Sequence, residues 1–330
     1  MSAPAVPYTP PVPGIHGNES YINFEFSFFT LPMFLLTLPL LYVPITIIII
    51  LRIFVKLLYG MRDKNVNVPL FSAISIAYFV SILFFILDFV FVRLFTAGVF
   101  TSWCASVEPN HYLIVLYTAT YYVNYASMVF PFLVSTMRLI LIAYPQNQMK
   151  INRTLLRIAI PMIFIYPIFS TFFMFPAVGY CSQARGPFPF GSVLVGFQNS
   201  LFGLKNNYFL VANNMLWMAA SLINNSILLI KLARLKSSFC HNGRSKKSYK
   251  AEVSLTFTTF SMIFSYVSSS LVVISYQLGG DSTYYVIMFR PFGNDLDMCI
   301  CPWVFYLTHP IFRRKTNNVI HVNQNEKLQS

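Results

Sequence analysis

Apolar residues along this chain come in long blocks rather than in the alternating or helix-face patterns of a soluble fold. Runs near 31–53, 70–92, 111–141, 155–178, 208–232, 253–276 and 284–307 are almost free of charge. Each is long enough to cross about 30 Å of hydrocarbon, which takes roughly 20 helical residues. The seventh is the least apolar, because it carries Arg290, Asp295 and Asp297. Prolines within the runs, such as Pro44, Pro131, Pro167 and Pro302, predict kinks, since neighbouring helices in a membrane re-satisfy the carbonyls they free. The pattern predicts an all-α membrane protein, with an N-terminal segment 1–30, a seven-transmembrane-helix bundle over 31–307 and a tail 308–330.

Composition agrees. Hydrophobic residues make up 56% of the 330 and charged residues 10%, against about 25% charged in soluble domains. A net charge of +13 would point to nucleic acid in a soluble protein. Here nineteen of the 23 Lys and Arg follow runs one, three, five and seven, and only Arg93, Arg185, Lys205 and Arg290 fall on the other side. Such an excess marks the cytosol, so no nucleic-acid partner is expected and the N-terminus is predicted outside, the C-terminus inside. Met1 to Gly17 has no Lys or Arg and no short apolar core, so no signal peptide is expected and the first span does the targeting. Asn18-Glu19-Ser20 is a glycosylation acceptor on the outer side, whereas Asn152-Arg153-Thr154 and Asn224-Asn225-Ser226 fit the same pattern where glycosylation does not reach.

Five cysteines test this topology. Cys104 and Cys181 fall in outer loops, where disulfides persist, while Cys240 is inside and Cys299 and Cys301 are in run seven. One bridge is available, Cys104–Cys181, with two free thiols as the alternative. Cys299 and Cys301, two residues apart, point to different helix faces and make poor metal ligands. No metal or other cofactor is expected.

Two motifs carry a resemblance. Met137-Arg138-Leu139-Ile140-Leu141-Ile142-Ala143-Tyr144-Pro145 is similar to the D-R-Y-x-x-I-x-x-P signature of rhodopsin-like receptors, with Met137 in place of the acid. Cys301-Pro302-Trp303-Val304-Phe305 followed by His309-Pro310-Ile311-Phe312-Arg313 resembles N-P-x-x-Y and the short juxtamembrane helix after it, with Phe305 in place of the Tyr. His16-Gly17-Asn18, Tyr21-Ile22-Asn23-Phe24-Glu25, Arg290-Pro291-Phe292-Gly293-Asn294-Asp295 and Pro302 to Pro310 resemble the nematode serpentine chemoreceptors of the Srg superfamily. Class U fits best, with classes gamma, V and X as rivals. The resemblance implies a G-protein-coupled chemosensory receptor in the plasma membrane of a sensory-neuron cilium. Its partners would be a small-molecule ligand, a heterotrimeric G protein and the lipid bilayer.

That resemblance assigns roles. Arg138 would contact the G protein, and Met137 cannot restrain it at rest as an acid would; the plain alternative is an Arg snorkelling at a helix end. Pro145, Asn294, Asp295, Asp297, Pro302 and Phe305 complete the switch. Intramembrane charge is costly and marks function, and an Asp88–Arg290 pair is predicted to floor the outer cavity, with separate snorkelling as its alternative. Tyr117, Thr120, Tyr121 and Asn124 of run three, Asn213 and Trp217 of run five, and Ser269 of run six would line the ligand cavity, or simply pack helices. Thr120 stands where aminergic receptors carry Asp, and run seven holds no Lys, so neither an amine ligand nor retinal chemistry fits. The rival reading is a ligand-gated channel or transporter lined by the polar residues of run seven. No catalytic constellation recurs, so an enzyme is not expected.

Overall fold

The computed structural model describes residues 14–60, 67–242, 246–261, 266–267, 270–271, 274–275, 282–309 and 312. Within them, five helices are long and apolar enough to cross a membrane: Leu31–Tyr59, Val68–Thr96, His111–Ala143, Gln148–Met174 and Asn206–Arg234. Helices Lys246–Ser261 and Ser282–Thr308 follow, at the places of the sixth and seventh runs. These are spans one to seven below.

Local chemistry explains where the helices depart from the apolar runs. Span one breaks at Leu38, where Pro39 supplies no N–H, and then continues as a helix to Gly60. Span three starts under an Asn110 cap, whose side chain accepts from the Leu113 N–H, and ends at Ala143, just ahead of Tyr144-Pro145. Span four is the clearest correction to the sequence boundaries. Its α-helix is Gln148–Thr171, a 3-10 turn covers Phe172–Met174, and Pro176 ends it; Val178 is already in a strand. Span five extends beyond its apolar run on both sides, from Asn206 to Asn242.

Span three is the axis of the bundle. It packs on spans two, four and five, while span seven packs on spans one, two and six. The main core gathers Ile53, Leu70, Ile74, Phe130, Val134, Met137 and Phe305 from spans one, two, three and seven.

One end of the bundle carries a hairpin that the sequence pattern does not announce. Strands β1 (Val178–Gln183) and β2 (Val193–Gln198) pair antiparallel, with Cys181 opposite Val195. Cys104 and Cys181 form a disulfide, tying β1 to the short helix Thr101–Ser106 ahead of span three. Gly179 bridges Asn110 so closely that a Cβ there would sit 2.6 Å from Leu113 Cβ and 2.8 Å from the Ile114 nitrogen. The segment before span one lies over this hairpin. Ile15 N–H donates to Cys181 O at 3.0 Å and Gly17 N–H to Ala105 O at 2.9 Å. The Phe24 ring rests on Gly191, whose φ of +90° and missing Cβ both suit glycine. The opposite end holds the basic helix ends.

Candidate functional site

Two polar clusters are buried in the bundle, one near the hairpin end and one near the basic end. The first depends on an irregular turn. After Asp88 span two leaves the α-helix for a π-helical turn, Phe89–Arg93. An α-helix sets residues five apart about 140° out of line, whereas a π turn closes i to i+5 and brings them nearly together. Arg93 Nε accordingly donates to Asp88 Oδ2 at 3.3 Å. Its Nη1 and Nη2 donate to the two carboxylate oxygens of Asp295 in span seven, at 2.8 and 2.5 Å, and Nη2 also reaches Pro291 O at 3.2 Å. The Tyr42 hydroxyl of span one donates to the same Asp295 carboxylate. Phe85 stacks on the guanidinium, 5.1 Å from its ring centroid. Arg93 is 5% exposed and Asp88 1%, so spans one, two and seven are joined by one ion cluster away from water. Beside it lies a cavity of about 20 Å³, the size of one water-sized group, bounded by Asp88, Arg93, Asn124, Ser127, Asn294 and Asp295 among others.

The second cluster centres on Arg138. Its side chain is fully buried. Nη1 donates to Thr259 Oγ1 at 2.8 Å and Nη2 to Thr256 Oγ1 at 2.7 Å, both on span six. Thr259 spends its own proton on Leu255 O at 3.2 Å, which leaves its lone pairs for the arginine. Asn152 of span four donates to Met137 O at 3.2 Å and braces the same turn. On the facing side Phe305 of span seven is fully buried against Phe71, His309 and Phe312, with ring centroids 5.4, 5.1 and 5.6 Å away. His309 lies just past the span, and burial pushes its imidazole down to about 4.

The family is decided by likeness over most of the chain. A family profile described as "Serpentine type 7TM GPCR chemoreceptor Sru" matches residues 15–315. The chain is also 56% identical over 260 residues to "Serpentine receptor class U-26" of Caenorhabditis elegans, covering 79% of this chain and 90% of that protein. The chain belongs to the Sru family of serpentine chemoreceptors. The class U resemblance read from its motifs is thereby the right one, and the family gives the bundle its seven-transmembrane architecture. Both the family and the relative are receptors, not enzymes.

Within this Sru protein the structure brings some sequence candidates together and separates others. Asp88, Asn124, Asn294 and Asp295 share the cavity by the ion cluster. The ion-pair partner of Asp88 is Arg93, not Arg290. Arg93 was counted among the loop cations, and the π turn swings it into the bundle instead. Asn213 and Trp217 leave the cavity for span four. The Tyr166 hydroxyl donates to Asn213 Oδ1 and accepts from Trp217 Nε1 at 3.2 Å, so both serve helix packing. Tyr117, Tyr121 and Tyr125 form a ladder along span three, with centroids 4.7 and 6.2 Å apart, and Tyr125 donates to Asn206 Oδ1 at 2.7 Å. Thr120 is buried, its hydroxyl turned back to Leu116 O at 3.0 Å. Arg138 does not snorkel, because its guanidinium is buried between helices. Pro145 is exposed in the turn after span three and Pro302 is buried in span seven. Ser269 and the side chain of Asp297 lie outside the described residues.

Sequence reasoning missed Arg93, Tyr42, Thr256 and Thr259. A signal for Arg93 was present, since it interrupts the apolar stretch from Phe84 to Phe95 five residues after Asp88. The two threonines carry no charge and had none.

Proposed function

We propose that this Sru receptor binds a small molecule among the hairpin-end halves of its helices and signals through a heterotrimeric G protein at its basic end. In this reading the hairpin end is extracellular, the basic end is cytosolic, and the chain lies in the plasma membrane of a sensory-neuron cilium. The observation that carries it is the buried Arg138 held by two span-six hydroxyls. Met137 cannot restrain Arg138, and Thr256 and Thr259 take over that role without charge. Parting span six from span three frees the guanidinium, which then offers its donors to backbone carbonyls of a G-protein helix. Ligand binding acts by favouring the parted arrangement, to the extent that it binds that arrangement more tightly.

Two features support the orientation. Asn18 is exposed at a helix start on the hairpin side, its Oδ1 accepting from Ser20 N–H at 3.0 Å. The other two acceptor asparagines are engaged in helix packing, Asn152 with Met137 O and Asn224 with Thr136 Oγ1 at 2.7 Å. A channel reading would call for a continuous polar stripe; the polar groups described here fall into separate, hydrogen-bonded clusters.

The test is a G-protein dissociation readout in a heterologous cell, with a panel of soluble and volatile small molecules. A compound that triggers dissociation in the wild type should fail in Arg138→Ala at equal surface expression. An undiminished response in that variant would remove Arg138 from the mechanism.

A further inference from the structure

A groove of about 410 Å³ opens on the outside of the bundle at its basic end, between span one and the end of span seven. Its wall is apolar, from Ile48, Leu51, Val55 and Phe312, and its rim carries Arg52 and Lys56, four residues apart on the same side of span one. Arg52 Nη1 donates to the Tyr306 hydroxyl at 3.3 Å, which holds the guanidinium beside the groove. We propose that this groove is a binding site for one anionic phospholipid, its headgroup phosphate between Arg52 and Lys56 and an acyl chain along Ile48, Leu51 and Val55.

Three observations select that occupant. The apolar face of span one is exposed along its length, at Leu41, Ile48, Leu51 and Val55, and at this depth a bilayer offers it either lipid or another helix. A second copy of the chain meeting this face about a two-fold axis would set Arg52 and Lys56 against their own equivalents, and like charges repel. In sequence Phe312 is followed by Arg313, Arg314 and Lys315. Those cations repel the rim as well, and add to the positive field that draws acidic headgroups at about 1 kcal/mol per basic residue. Assigning the lipid to the cytosolic leaflet rests on the orientation proposed above; the binding itself does not.

The experiment uses the full chain purified in a non-ionic detergent, where no leaflet exists, so its outcome is independent of orientation and of G-protein coupling. Native mass spectrometry is read after adding equal amounts of phosphatidylserine and phosphatidylcholine with identical acyl chains. The expected result is retention of phosphatidylserine over phosphatidylcholine by on the order of tenfold, as two near-surface cations imply. The preference should fall to parity in Arg52→Gln/Lys56→Gln. It should persist in Lys231→Gln/Arg234→Gln, which removes the same charge from span five, and in a chain ending at Phe312. Val55→Trp, which fills the groove and leaves both cations, should lower phosphatidylserine retention as well. Parity in the wild type, an equal loss in the span-five variant, or full retention in Val55→Trp would overturn the site. Loss of the preference on removing the tail would assign it to the tail instead.

Discussion

Both carboxylate oxygens of Asp295 face the guanidinium of Arg93, at 2.8 and 2.5 Å, and this pair clamps span seven to span two. Asp88 takes the remaining side of the same guanidinium at 3.3 Å. Removing the cation alone would leave two carboxylates in a water-poor interior, and breaking such a buried pair costs about 3–5 kcal/mol.

Arg93→Leu should therefore abolish surface expression. Arg93→Leu/Asp88→Asn/Asp295→Asn should recover a substantial part of it, because the charges leave together. Flow cytometry of a tagged receptor on intact cells measures both. Equal loss in the single and triple variants would mean that packing rather than charge balance holds this site.

The hairpin depends on a close approach at Gly179. A Cβ there meets Leu113 and the backbone of Ile114 within 3 Å, and backbone does not yield. Gly179→Ala is expected to lower the melting temperature of the detergent-purified protein by several degrees. Gly17→Ala, where nothing lies within 4 Å, should cost less, through its positive φ alone.

The Cys104–Cys181 bridge closes 77 residues of chain, for which loop entropy gives about 4 kcal/mol of stabilisation. Cys104→Ser, Cys181→Ser and the double variant should lose the same stability, since each breaks the same bond. A double variant markedly worse than either single one would assign the cysteines separate roles.

Burial holds the His309 imidazole neutral, with its pKa lowered from 6.5 to about 4. The native state then binds fewer protons than the unfolded one between those values, so stability is full above about pH 6.5 and is lost as pH falls toward 4. Thermal unfolding of purified receptor at pH 7.5, 6 and 5 should show this decline, and His309→Phe should flatten it. Parallel curves for the two proteins would refute the assignment.

The helices were legible because crossing a bilayer demands uninterrupted apolar length, and nothing else in the chain has it. The hairpin was not. Val178 continues the apolar run of span four, and only Pro176 hints that the helix has ended. Arg93 was misplaced because counting cations by loop treats every Arg near a run's end as a loop residue, while a π turn depends on tertiary packing. Cys104 and Cys181 were readable because compartment and number left them one partner. The site at Arg138 was half readable: the motif located the arginine, but its partners are neutral hydroxyls that look like any others in Thr256-Phe257-Thr258-Thr259.

The central claim is that two span-six hydroxyls hold Arg138 at rest. Hydrogen bonds to a charged group contribute about 1.5–3 kcal/mol each, so Thr256→Val/Thr259→Val should raise ligand-free signalling about tenfold or more. The direct measurement is basal G-protein dissociation in cells matched for surface receptor, for that double variant and for the same variant carrying Arg138→Ala. The account predicts high basal activity in the first and none in the second. Wild-type basal activity in the threonine variant, or raised activity that survives loss of Arg138, would contradict it.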